Sequence, residues 1–571
     1  MATQPEAEFD VVVAGSGAAG MTAALACAQR GLDVVVVEKA AHFGGSTARS
    51  GGGVWIPGNE ALRAAGVEDS HERARDYLRA IVGDAVPAQR RETYLRRGPE
   101  VVSFVHENTP LQLRWVNDYS DYHPEAPGGR ARGRSVEPAP LDGRVLGAEL
   151  ANLEPPYSAP PLGIPMNQVD YRWISLLARH PRGTLQLAKL GGRWLAGLLS
   201  GKRSQLSMGQ ALAAGLRAGL LRAGVPVWLN TPVVDLRVEA GVVTGAVVER
   251  DGTPTLLRAR RGVILGSGGF EQNAEMRAKY QREPIGTEWT VGAKANTGDG
   301  IRAGLSHGAA LDMMDDAWWG PTIPLTGGPW FALAERSRPG CIMVNDRAQR
   351  FVNESTPYVE AVHAMYGGRY GQGDGPGKNI PTWLIFDQRY RNRYMFTGLG
   401  PRQPLPGRWF KAGIAAKADT LGELAEEISL PPQALEATVR RFNGLASAGV
   451  DTDFNRGASA YDHYYGDPRN QPNPSLGPLD VAPFYAVKIV PGDLGTKGGL
   501  VTDSDARVLR DDGSVIEGLY AAGNTSSAVM GHTYAGPGAT IGPAMVFGYL
   551  AAQHAASNPS ATAAHTTGGR S

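Results

Sequence analysis

"FDVVVAGSGAAGMTAALACAQRGLDVVVVEK", Phe9 to Lys39, decides the fold. Its first residues are a short β-branched run that reads as a buried parallel strand, and "MTAALACAQRG" reads as a helix. Between them stands G-x-G-x-x-G. Gly15 makes the tight turn, Gly17 lets backbone approach a pyrophosphate, and Gly20 lets the helix pack on the strand. The helix N-terminus, with Ala18 and Ala19 in its first turn, faces the phosphate charge. "LDVVVVEK" is a second strand ending at Glu38, where an acid accepts hydrogen bonds from a ribose hydroxyl pair, with Lys39 next to it. The glycines alone are a weak signal. Strand, turn, helix, strand and acid in this order predict a dinucleotide-binding domain.

The whole chain sets the limits. With 571 residues it is too long for one compact core, and 42% hydrophobic residues allow it to bury a large cofactor. Basic and acidic side chains number 57 and 56, for a formal charge of +1, so no global field favours nucleic acid. Cys27 and Cys341 lie far apart and give neither metal nor redox spacing, so no metal is expected and a cytoplasmic location fits best. "MATQPEAEFD" lacks the apolar core of a secretion signal, and no run approaches the roughly 18 apolar residues of a spanning helix. The 75 glycines gather in loops without a repeat period, as expected where backbone lies close to an extended ligand.

"HFGGSTARSGGGVW", His42 to Trp55, is read as a long irregular loop in which Gly45, Ser46, Thr47, Ser50, Gly51 and Gly52 wrap the phosphates and ring system of FAD; this favours flavin over NAD. "RGVILGSGGF" and "VIEGLYAAGN" look like returns to the same domain, carrying Gly268, Gly523 and Asn524 as further cofactor contacts. A helix, a strand and a β-meander between Gly209 and Glu249 complete the sheet. The division expected is 1–316 and 491–560 as two parts of one FAD-binding domain, 317–490 as the substrate-capping insertion, and 561–571 as a disordered tail. Within the first part, 149–202 reads as a basic, hydrophobic insertion. Tyr171 to Arg203 carries seven Lys or Arg and no Asp or Glu among Leu and Trp, which suggests peripheral contact with the inner face of a membrane; the plainer alternative is a packed hairpin with a solvated basic face.

Several segments together resemble the 3-ketosteroid Δ1-dehydrogenases, of the fumarate reductase and succinate dehydrogenase flavoprotein superfamily. They are "GSGAAG", "FGGSTARSGGGVWIPGN", "GFEQNAEMR", "ANTGDG", "RFVNESTPY", "GDLGTKGGLVTD" and "GLYAAGNTSSAVMGHTYAGPGATIGPAMVF". The glycine motifs mark the superfamily; "NESTPY" and "TYAGPG" point to the steroid enzymes. The resemblance implies an α/β fold, a Rossmann-like FAD-binding domain interrupted by an α+β substrate-capping domain, with FAD held non-covalently. Asn296 and Asp299 of "ANTGDG" join the implied cofactor contacts, as do Gly538 and Ile541. Tyr358 resembles the base that abstracts a proton, and Tyr122 of "YSDYHPE" its supporting tyrosine. This chain reads Asp-Tyr-His where members often read Asp-Tyr-Tyr, which leaves Tyr119 and His123 open for that role. Tyr534 and Gly538 resemble the pair that polarises the steroid C3 carbonyl. The implied partners are a 3-ketosteroid substrate and an electron acceptor, a quinone or other.

The chemistry asks for such groups by itself. Removing hydrogen across C1 and C2 of a 3-ketosteroid needs loss of a proton alpha to the carbonyl and of a hydride from the beta carbon to flavin N5. The first leaves an enolate, which a phenol and an amide aimed at O3 stabilise, while the helix starting near Ile541 points its N-terminus at the flavin pyrimidine. A tyrosine serves as a base near neutral pH only if neighbours stabilise its phenolate. The rival readings are a 3-ketosteroid Δ4-(5α)-dehydrogenase, a fumarate-type reductase, which would need cations for the substrate carboxylates, and a flavin-binding redox partner without turnover.

Overall fold

The computed structural model describes residues 5–157, 166–199, 205–372 and 377–558. The tail 561–571 lies outside the described residues, as do parts of the basic insertion.

The β-branched run of the N-terminus is the strand Pro5–Ala14, with Val11, Val12 and Val13 fully buried. It pairs in parallel with Val34–Val37 on one side and Thr253–Leu265 on the other. Val227–Trp228 and Val515–Ala521 extend the sheet in parallel at either end, and Arg507–Leu509 adds an antiparallel edge. The expected meander is present as Val233–Glu239 and Val242–Arg250, paired antiparallel and leading into Thr253–Leu265. The alanine-rich helix Ala18–Ala28 packs against Met208–Arg222 and the closing helix Ile541–Ser557. Small residues allow that approach: a Cβ at Gly548 of the closing helix would lie 2.4 Å from the Ala19 carbonyl oxygen.

A second, antiparallel sheet runs Trp330–Phe331, Ala317–Ile323, Phe484–Thr496, Thr382–Asp387, Cys341–Val344, with Ala415–Ala418 also on Phe484–Thr496. The helices Leu421–Glu427 and Pro432–Ala448 cover it around the Pro-Pro turn, as their amphipathic pattern predicts. Phe484–Thr496 runs through the expected boundary at 490/491, and its last residues lie opposite Ala317–Trp319.

One local expectation fails. The stretch His42 to Trp55 is not irregular throughout: Gly45–Arg49 is a short helix and Val54–Trp55 a strand paired with Ser135–Pro138. The cause is non-local. Thr47 Oγ1 accepts from Ala18 N at 3.0 Å, and Ser46 Oγ accepts from Ala293 N at 2.9 Å, so distant backbone holds a turn that its own propensities would leave open.

Candidate active site

Three tyrosines from three elements meet between the sheets. Tyr358 opens the helix Tyr358–Tyr366, which packs on Ala317–Ile323. Tyr122 ends a loop anchored by Asp121, which accepts from Trp55 Nε1 at 2.9 Å and is paired with the buried Arg134, itself bonded to Asp69 at 2.8 Å. Tyr534 stands in the turn before the closing helix. The backbone knits loop and turn together: Tyr122 N donates to Ala535 O at 3.1 Å, and Tyr77 OH donates to the same oxygen at 2.7 Å.

The three phenols are 3 to 5% exposed. Tyr122 OH donates to Tyr358 OH at 3.0 Å, and each pair of rings lies 5.2–5.3 Å apart. Trp318, Phe331 and Tyr461 complete the aromatic walls around them. His123 turns elsewhere, to Thr533 Oγ1 at 3.0 Å and Glu360 at 3.3 Å, and Tyr119 accepts from Tyr465 OH at 3.3 Å while stacking on Tyr464. Of the three candidates to support Tyr358, only Tyr122 is bonded to it in the structure.

Burial sets the electrostatics. It drives the Tyr358 phenol well above its ordinary value, the neighbouring Tyr534 adds to this, and the bond from Tyr122 pulls back. Burial also raises Tyr534, opposed by the Thr540 hydroxyl, by Tyr358 and by the backbone of Gly538 and Thr540. Thr540 Oγ1 donates to Tyr534 OH at 2.8 Å. With its oxygen accepting there, Tyr534 keeps its own hydrogen for another acceptor. Gly538 has φ +94°, and a Cβ on it would lie 2.3 Å from the Gly53 carbonyl, so only glycine brings this amide to the phenol's side of the turn.

The residues expected to form the cofactor groove are placed as follows. Gly15, Gly17, Ala18, Ala19 and Gly20 form the first strand-to-helix turn, and a Cβ at Gly17 would meet only Thr47 Oγ1, at 3.6 Å. Glu38 accepts from Ser16 N at 2.9 Å and Ser16 Oγ at 2.6 Å. Lys39 is paired with Asp299 at 2.8 Å. Gly45, Ser46 and Thr47 start the short helix; Ser50 Oγ accepts from Gly52 N at 3.0 Å, and Gly51 lies against Gln168. Gly268 backs on Asn296, Gly523 sits between Ala19 and Ala544, Asn524 accepts from Trp318 Nε1 at 3.0 Å, and Ile541 begins the closing helix. This set suits FAD: backbone donors at the turn, an acid at the strand end, and glycines where bulk would obstruct.

Sequence reading missed Thr540, Trp318, Phe331 and Tyr461. Thr540 was within reach, two residues beyond Gly538 in the same segment. The others carry no motif, since an aromatic in a strand or short helix looks like any core residue.

Residues 10–541 match the FAD binding domain family. The chain is 62% identical to the 3-oxosteroid 1-dehydrogenase of Mycolicibacterium smegmatis, over 97% of this chain and 98% of that protein. It is 35% identical to the 4-oxocyclohex-2-ene-1-carboxylate 5-dehydrogenase of Sinomonas cyclohexanicum, over 96% and 93%. The crystal structure of the 3-ketosteroid Δ1-dehydrogenase from Sterolibacterium denitrificans, in complex with 1,4-androstadiene-3,17-dione, superposes with a TM-score of 0.91 at 41% identity, covering 96% of this chain and 99% of that one.

Proposed function

The chain belongs to the FAD-dependent 3-oxosteroid 1-dehydrogenases, and from that premise we propose a division of labour among its own residues. It is an oxidoreductase that converts a 3-keto-4-ene steroid into the 1,4-diene. Tyr358, as its phenolate, takes the C2 proton and becomes neutral; Tyr122 steadies that phenolate beforehand by its hydrogen bond, and Tyr534 with the Gly538 amide holds the C3 carbonyl and its developing enolate. FAD supplies the acceptor for the hydride leaving C1. The segment 317–490 acts as the cap over the substrate, and Trp318, Phe331 and Tyr461 exclude water from the enolate. The observation that carries this reading is the contact of three buried phenols, Tyr122 bonded to Tyr358 at 3.0 Å and Tyr534 beside both.

The experiment is anaerobic mixing with 4-androstene-3,17-dione, which should bleach the flavin band. Bleaching by a 4-oxocyclohexenecarboxylate but not by the steroid would shift the reading to a small anionic enone. Bleaching only by a protein partner would make the chain a redox carrier. FAD is held without a covalent bond: neither cysteine lies on the flavin loop, and His42 precedes its glycines. Acid precipitation should therefore leave yellow cofactor in the supernatant, and colour retained in the pellet counts against the assignment.

We place a membrane contact on the helix Pro181–Leu199. Leu185, Leu187 and Leu195 are 44–55% exposed there, on a segment also carrying Arg182, Lys189 and Arg193. Co-sedimentation with phosphatidylglycerol vesicles, reduced by Leu185→Ser with Leu187→Ser, is the expected result; equal sedimentation with and without vesicles removes the contact.

A further inference from the structure

Ser46 accepts two hydrogen bonds, from Ala293 N at 2.9 Å and from Asn296 Nδ2 at 3.0 Å. A hydroxyl oxygen has two lone pairs and one hydrogen, so Ser46 retains only its proton and must act as a donor. The other hydrogen of the Asn296 amide goes to Glu271 Oε1 at 2.6 Å, which fixes the orientation of that amide. Three side chains thus form one chain of bonds from the flavin groove to a carboxyl group inside the protein.

Glu271 is fully buried, and among the described residues its Oε2 has no hydrogen-bond partner. Its nearest walls are backbone: a Cβ on Gly292 would lie 2.4 Å from Oε1, and one on Gly269 2.7 Å from Oε2. Two charged groups face it. Asp493 comes from Phe484–Thr496, and Arg277 from the helix Ala274–Tyr280. Arg277 is paired with Asp493 at 2.8 Å and donates to the main-chain oxygen of Glu271 at 3.1 Å. Tyr366, the titratable group next to that pair, is spent on Pro284 O, and Arg49 of the Ser46 helix on Val291 O and Glu154. Burial, then Asp493, push the Glu271 carboxyl up to about 7, against the pull of Asn296 and Arg277. One buried cation serves two buried carboxyls, so the second negative charge is the weakly held one.

We propose that Glu271 is a redox-linked proton acceptor: it takes up one proton from solvent when the flavin seated against Ser46 is reduced, and returns it on reoxidation. The proposal rests on the reading that FAD occupies this groove. The balance is complete. Two electrons and one hydrogen leave C1 as hydride and add one negative charge to the flavin; the C2 proton departs separately to Tyr358. A solvent proton then forms one O–H bond on Glu271, and nothing further is oxidised or reduced. The linkage is reciprocal: charge on the flavin raises the proton affinity of Glu271, and a protonated Glu271 makes the flavin easier to reduce. Charges separated by a few hydrogen bonds, at an effective dielectric near 20, change each other's proton affinity by about tenfold or more. A group poised near neutrality answers a tenfold change with about half a proton, and a larger change with more.

The test is the midpoint potential of the bound flavin against pH, in the wild type and in Glu271→Gln, which keeps the size and an acceptor for Asn296. Just above neutral pH the wild type should take up about 1.5 protons per two electrons for a tenfold change, nearing two for a larger one, and the variant one, so that the slope falls by about a third or more. Equal slopes overturn the proposal. Flavin content is measured first: wild-type protein without flavin defeats the FAD reading, whereas flavin-loaded proteins with equal slopes defeat Glu271 alone. If the variant fails to hold flavin, the reduced-minus-oxidised infrared spectrum of glutamate-labelled wild type decides. A protonated carboxyl band gained on reduction is expected, and its absence overturns the proposal.

Discussion

Tyr358→Phe keeps its fold and flavin but dehydrogenates 3-ketosteroid roughly 10²- to 10⁴-fold more slowly, the loss expected when a general base is removed. The ring still fills its place against Phe331 and Tyr534, so packing changes little and the missing oxygen accounts for the effect. The pH profile gives a second signature. A base must be deprotonated to accept a proton, and burial holds the Tyr358 phenol well above its ordinary 10.0, so its phenolate fraction is small and grows with pH. Wild-type kcat/KM should rise with pH up to the alkaline limit of the fold, and the variant should lose that rise. Steady-state rates across pH, beside flavin content, check both points. A flavin-loaded variant with more than half of normal activity removes Tyr358 from the mechanism.

Tyr534→Phe should lower kcat by about 10²- to 10³-fold, as other losses of a single oxyanion donor do. Thr540 already donates to the Tyr534 oxygen, so the phenol hydrogen is the one free to meet the C3 ketone, and the bond from Thr540 makes it a better donor. Binding should suffer less than turnover, because the donor matters most as charge develops on the oxygen. The measurement compares kcat with Kd for a 3-keto and a 3-hydroxy steroid in both proteins. Unchanged turnover of the ketone would mean that the phenol only fills space and the carbonyl is held elsewhere.

Phe9 to Lys39 declares strand, turn, helix, strand and acid within one stretch because each signal is local: β-branched runs favour extended chain, and a glycine turn frees the helix N-terminus. The same holds for the amphipathic pair around the Pro-Pro turn and for the Tyr534-to-Gly538 segment, whose glycines leave backbone open to a ligand. Sequence by itself therefore determined the fold class and the cofactor, and named the candidate tyrosines.

Tertiary structure decided the rest. Gly45–Arg49 is helical because Ala18 and Ala293 hold Thr47 and Ser46 from elsewhere in the chain, which no local propensity records. Tyr122, rather than Tyr119 or His123, is bonded to Tyr358, 236 residues away, because Asp121 and Arg134 aim the loop and its neighbours find other partners. Glu271 stands in "GFEQNAEMR", a segment that marks the family without setting this carboxyl apart, since a carboxyl acquires its character only where burial removes water and a second acid competes for the same arginine. Periodicity and turn chemistry reach a few residues along the chain. Desolvation and the meeting of side chains across hundreds of residues exist only once the two sheets have packed.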